Sequence, residues 1–115
     1  MKYLLLLYDD AAAVEAMPAE ARRAIVDEHI RYAAMLRERG ALVSGEPLHG
    51  PERARTVRFH GNGATVTDGP FFEAKEALGG FYVIEASDEQ AAIELAKQVP
   101  RSPNLVAELR PIADI

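Results

Sequence analysis

Cysteine is absent from this 115-residue chain, which excludes a disulfide framework, a zinc ribbon and thiol chemistry, and accords with a reducing compartment. Basic residues are in the minority: thirteen Lys and Arg stand against eighteen Asp and Glu, a net charge of -5. Nucleic-acid binding relies on clustered cations that neutralise phosphates, so this balance argues against DNA or RNA as a partner. Long apolar runs are missing too. The best candidate, Tyr3-Leu4-Leu5-Leu6-Leu7-Tyr8, ends in Asp9-Asp10 and is too short for a membrane span or a secretory leader, so a cytoplasmic protein with no membrane partner is expected. The three histidines, His29, His49 and His60, form no H-x-H or HExxH arrangement, so no metal site and no cofactor are expected. Gly61-Asn62-Gly63 is a turn and not a phosphate cradle, because no helix follows it. No serine sits in a nucleophile elbow.

What the chain does have is apolar content, 49% of its residues, enough for one compact domain over residues 1–115 with a modest core. Lys2 to Tyr8 is an unbroken apolar run of strand length, the pattern of a strand buried on both faces. Asp9 to Met17 is an alanine-rich linker with room for a helical turn. Pro18 suits a first helical position, and a helix is expected to run to about Glu38 and stop at Gly40, with Ile25, Val26, His29, Ile30, Ala33 and Leu36 as its inward stripe. Ala41 to Leu48 reads as extended. Thr56 to His60 and Ala64 to Thr67 alternate around Gly61-Asn62-Gly63 as a hairpin. Phe81 to Glu85 is a second apolar strand. Ser87 to Gln90 reads as a capping box opening a helix that Pro100 ends, and Leu105 to Arg110 is a last strand. The order is β-α-β-β-α-β with one added hairpin. Two helices cover one face of such a sheet, yet the apolar strands offer side chains to both faces, so a second copy is expected as the other cover, a homodimer.

The residues from Thr67 to Tyr82 carry the most information. Asp68-Gly69-Pro70 is a turn in which Asp bonds its own backbone, Gly supplies a positive φ and Pro presets the exit, so the Asp68 carboxylate is held in place. Glu73, Lys75 and Glu76 then alternate in sign before Gly79-Gly80. Lys75 is a candidate to hold an anionic group of a small-molecule ligand and Glu76 to act as an acid or base, while Glu73 reads as solvated. Arg58 and Arg110 lie on strands, where a guanidinium clamps a carboxylate or phosphate or pairs with a neighbour such as Glu108. Glu46, before Pro47, faces the sheet cavity or its rim. Tyr3 and Tyr82 read as core or cavity lining whose hydroxyls need partners. His29 stands on an apolar stripe; it is either a group for proton transfer near neutral pH or a structural histidine bonded to backbone.

Asp68-Gly69-Pro70-Phe71, with Glu73, Lys75-Glu76 and Leu78-Gly79-Gly80-Phe81-Tyr82-Val83-Ile84, resembles the signature of the YCII-related superfamily in its DGPF-domain branch. The likeness extends to Gly45-Glu46 with Leu48, Thr56-Val57-Arg58 and Glu108 to Ile112. The resemblance implies a ferredoxin-like α+β fold paired into a dimeric α+β barrel. It also implies a helix histidine at the position of His29, paired in the wider superfamily with an aspartate as an acid-base dyad. The superfamily's aspartate precedes a proline after the second helix, where this chain has Val99-Pro100, so Asp68 becomes the expected partner of His29. Two functions follow: an enzyme doing acid-base chemistry on a small polar or cyclic metabolite, or a non-catalytic ligand-binding or regulatory module linked to extracytoplasmic-function sigma-factor transcription.

Overall fold

Four strands make one antiparallel sheet in the computed structural model, which describes residues 1–115. The elements are β1 (Lys2–Asp10), α1 (Ala11–Ala16), α2 (Ala19–Glu38), β2 (Leu42–Pro47), β3 (Arg55–His60), β4 (Gly63–Asp68), β5 (Glu76–Glu85), α3 (Glu89–Ala96) and β6 (Val106–Pro111), with a short 3-10 turn at Pro51–Arg53. The sheet runs β2-β5-β1-β6, and β3 and β4 form a separate two-stranded ribbon. With the ribbon set aside, the remaining strands and the helices α2 and α3 follow the ferredoxin-like β-α-β-β-α-β order. The fold is therefore a mixed α+β structure compatible with that class. No helix is long and apolar enough to cross a membrane.

Period-two alternation along β1 sorts its side chains. Tyr3, Leu5 and Leu7 are buried under the helices with Tyr82 and Ile84 of β5, Tyr32 and Leu36 of α2, and Ala92, Leu95 and Val99 at and beyond α3. Leu4, Leu6 and Tyr8 point the other way and are half-buried, as are Phe81 and Val83 of β5. The central strand is thus enclosed on its helix side and only partly covered on the other. The chain is a slab of 46 × 44 × 18 Å with a radius of gyration of 15.9 Å, against about 13 Å for a compact domain of this length.

Several local expectations need correcting. The helical turn expected in the alanine-rich stretch after β1 is a six-residue helix, α1, because the Asp10 side chain accepts from the Ala13 N–H at 3.1 Å and caps it. The cap of α3 is Asp88 and not Ser87: its carboxylate accepts from the Ala91 N–H at 2.8 Å, while Gln90 reaches forward to Glu94. The inward stripe of α2 also differs. Tyr32 and Leu36 are the buried residues of that helix, whereas Val26 and Ile30 are 57% and 63% exposed. The first half of α2 stands off the sheet, and the gap beneath it is a cavity. Gly40, with φ +67°, ends the helix in the left-handed conformation that glycine tolerates.

Candidate functional site

The gap under α2 measures about 330 Å³ and is bordered by Val26, His29, Ile30 and Ala33 of the helix, Leu7 and Asp9 of β1, Gly45 to Pro47 of β2, Gly79 to Tyr82 of β5, and Ser102 and Leu105 before β6. Its walls are largely apolar, with a few polar groups converging, the usual composition of a small-molecule site. On its wall His29 Nδ1 lies 2.8 Å from the Tyr82 hydroxyl, with the two ring planes 17° from parallel. Tyr82 is itself fixed. Tyr32 stands edge-on to it at 5.2 Å, and the Tyr32 hydroxyl donates to the Leu95 carbonyl at 2.7 Å. On the other flank Gly45 leaves room for the ring, since a Cβ there would come within 2.6 Å of Tyr82 Cδ1.

With Glu46, Asp9 is one of two carboxylates on the cavity wall. Counting in twos from Leu5 and Leu7 brings it to the helix-facing side of β1, and Ser102 Oγ donates to it at 2.9 Å. Opposite it, β5 carries one extra residue: Leu7 pairs with Gly80 and Tyr8 with Leu78, which leaves Gly79 as a bulge. A Cβ at Gly79 would lie 3.3 Å from Asp9 Oδ1, so a larger residue there would press on the carboxylate. The next residue, Asp10, is buried and structural. It caps α1 and lies 3.8 Å from Lys75 Nζ, and its N–H donates to the Pro103 carbonyl at 3.1 Å.

Burial holds the His29 pKa below its ordinary value, with Glu28 and Asp9 acting in the opposite direction. Burial raises the Tyr82 pKa, so the pair is a neutral imidazole and a neutral phenol near pH 7. The unfolded chain takes up the His29 proton at higher pH than the folded one. His29 therefore costs no stability above about pH 6.5 and subtracts stability as pH falls through that value towards its folded pKa. His29→Gln is expected to lose less stability than the wild type between pH 7.5 and 5.5 in urea unfolding. Equal losses in both proteins would show that His29 is not the group responsible.

Of the residues singled out in the sequence, the cavity gathers His29, Glu46 and Tyr82. Asp68 is not brought to His29: its side chain is 90% exposed and pairs with Arg55 at 3.2 Å. The hairpin leaves the main sheet, and the residue that ends β4 leaves with it. Gly69, at φ +95°, does form the expected turn, stapled by the Gly69 N–H to the Ala54 carbonyl and by the Thr56 hydroxyl to the Gly69 carbonyl, both at 2.8 Å. Arg58 lies over the Phe71 ring at 5.1 Å, Arg110 pairs with Glu108, Lys75 faces Asp10, and Glu76 sits opposite Asp10 on β5. None of these four borders the cavity. Asp9 and Ser102 are the polar groups that sequence reasoning missed. Asp9 had a signal in the strand alternation, whereas Ser102 had none, because only the closed sheet brings it there.

A family model described as the YCII-related domain matches residues 1–115. An uncharacterized protein of Rhizobium meliloti (strain 1021) is 30% identical over 115 residues, which span 98% of this chain and 93% of that protein.

Proposed function

The chain belongs to the YCII-related family, and on that basis we propose that it is an enzyme that moves a proton on a small uncharged substrate, with His29 as the base. The observation that carries this reading is the 2.8 Å bond between His29 Nδ1 and the Tyr82 hydroxyl at the wall of the cavity. In the tautomer that carries its proton on Nδ1 and donates it to the Tyr82 oxygen, His29 keeps a lone pair on Nε2. Nε2 takes a proton from a weakly acidic C–H or O–H of the substrate, leaving a substrate anion and an imidazolium. The Asp9 carboxylate stabilises that imidazolium, and the proton returns to the same or another substrate atom, the latter being isomerisation. A ligand-binding module without turnover would use the same cavity. Proton transfer is preferred because His29 is bonded to a hydroxyl and not locked to backbone.

The lining also bears on the charge of the substrate. Its charged members are Asp9 and Glu46, and no Lys or Arg borders it. A carboxylate or phosphate entering would lose its hydration beside like charge with no cation to replace the water. The roles of Lys75 and Arg58 as anion holders are therefore set aside, and the substrate class becomes a neutral, partly apolar molecule. With imidazole-labelled protein, 4-methylphenol is expected to shift the His29 ring signals in an NMR titration, while 4-methylbenzoate of nearly the same shape is not. Tighter binding of the benzoate would overturn the charge argument, and no response to either would count against the cavity as a ligand site.

The same reading places the chain in the DGPF branch, on the loop from Asp68 to Phe72, and includes a second copy laid sheet to sheet. The face carrying Leu4, Leu6, Phe81 and Val83 is apolar and half-covered, which supports an isologous pair closing into a dimeric α+β barrel.

A further inference from the structure

The β3–β4 ribbon is the part of the molecule least explained by the chain's own packing. An isolated two-stranded hairpin is marginal in water and needs a surface to lie on. Here the ribbon is hydrogen-bonded to no other strand, and all of its strand residues except Thr56 are exposed. The ribbon is also two-faced. Val57 pairs with Val66 and Phe59 with Ala64, so these four share one side by the period of two, and Phe59 there is 82% exposed. The opposite side carries Thr56, Arg58 and His60, with His60 Nε2 2.6 Å from the Thr65 hydroxyl. An amphipathic ribbon with its apolar side bare is an interface waiting for a cover.

Charge indicates which cover. Residues 53–67 contain Arg53, Arg55 and Arg58 and no acid. Outside the segment from Arg53 to Asp68 the chain has ten basic residues against seventeen acidic ones, while the segment itself has three against one, so the arm is basic and the body acidic. Opposite fields of this kind orient and hold an association. In a two-fold pair each arm can lie on the other copy, whose body carries the opposite charge.

We propose that the segment from Arg53 to Asp68 is an assembly arm that packs its Val57, Phe59 and Val66 side against the acidic body of a second copy of this chain. The proposal rests on the sheet-to-sheet pair of the preceding section and extends it. Arg58 and Asp68, read from the sequence as site residues, thereby act in association and not in chemistry: Asp68 holds Arg55, and Arg58 packs on Phe71 at the root of the arm.

The chain has no cysteine, so Phe59→Cys carries a single maleimide-benzophenone group at the arm's apolar side. Irradiation of this protein is expected to give covalent dimers whose cross-linked peptides lie outside residues 53–72. Sedimentation equilibrium is expected to show a dimer that dissociates at least about ten-fold more readily in Arg55→Glu/Arg58→Glu, and in wild type as salt is raised. The ribbon lies outside the core, so an unchanged circular dichroism spectrum and unchanged His29 ring signals check that the charge variant is folded. A dimer of unchanged strength in that variant would overturn the arm while leaving the sheet-to-sheet pair standing. A wild-type monomer at 100 µM protein, cross-links confined to one chain, or a monomer that binds a 20-base-pair duplex through the arm would each overturn the proposal as well (about the concentration at which weak dimers still form).

Discussion

His29→Ala is expected to fold as the wild type does and to lose proton transfer. The assay needs no knowledge of the natural substrate: a neutral cyclic ketone such as 2-tetralone exchanges its α-hydrogens for deuterium in D2O, and a base held beside it in a water-poor cavity accelerates that exchange. Removing a positioned general base costs about 10²–10⁴ in rate, so the variant's catalysed exchange is expected to fall by that factor. Tyr82→Phe is the milder companion, because it keeps the imidazole and removes only the hydroxyl that orients it. The stability cost of His29→Ala is small, about 1 kcal/mol, since a single hydrogen bond at a half-buried position is lost. Exchange at the wild-type rate in the alanine variant would remove His29 from the base role. A variant that fails to fold would instead make the histidine structural.

Leu5→Ala is expected to have the largest effect on stability. Leu5 is fully enclosed on the central strand, flanked by Tyr82 of β5 and Leu109 of β6. Truncating such a residue removes its transfer free energy and leaves a cavity, at a cost of about 2–5 kcal/mol. Domains of this size are stable by about 5–15 kcal/mol, so a large share of the total is at risk, and the urea midpoint should fall accordingly. Phe59→Ala on the ribbon is the control. It removes a bigger side chain, but from a position exposed in the single chain, and is expected to change the unfolding of the monomeric form by less than about 0.5 kcal/mol. A comparable loss in both variants would mean that the core described here is not what holds the sheet together.

The elements were legible in the sequence where a local signal decides them. Gly40 ends α2, Gly61-Asn62-Gly63 turns the hairpin, and the apolar runs from Lys2 and Phe81 become β1 and β5. Local competition blurred the finer points: Ser87 and Asp88 are adjacent and both cap well, and only the backbone geometry selects Asp88. The stripe of α2 was misread because an amphipathic pattern identifies apolar residues but not how far the helix stands from its sheet. Val26 and Ile30 therefore border a cavity where a core was expected. The site was the least legible part. His29 was visible as an imidazole among apolar neighbours, but its bonded partner is 53 residues away and Ser102 lies 93 residues from Asp9. Such meetings follow from strand order, which no window of sequence contains.

Strand order has a consequence for how the chain folds as it grows. Leu5 sits at the centre of the sheet, yet its two neighbours, Tyr82 and Leu109, follow it by 77 and 104 residues. The most apolar strand precedes both of its flanking strands by most of the chain's length, so during synthesis it stays unpaired until nearly everything else exists. Contacts of such long separation make folding slow, and a leucine-rich strand kept waiting is prone to pair with another nascent chain. That hazard follows from the position of β1 and would be eased by a permuted gene that opens the chain at Asn62 and joins the old ends, which already lie close, with the Ile112 N–H bonded to the Lys2 carbonyl at 2.9 Å.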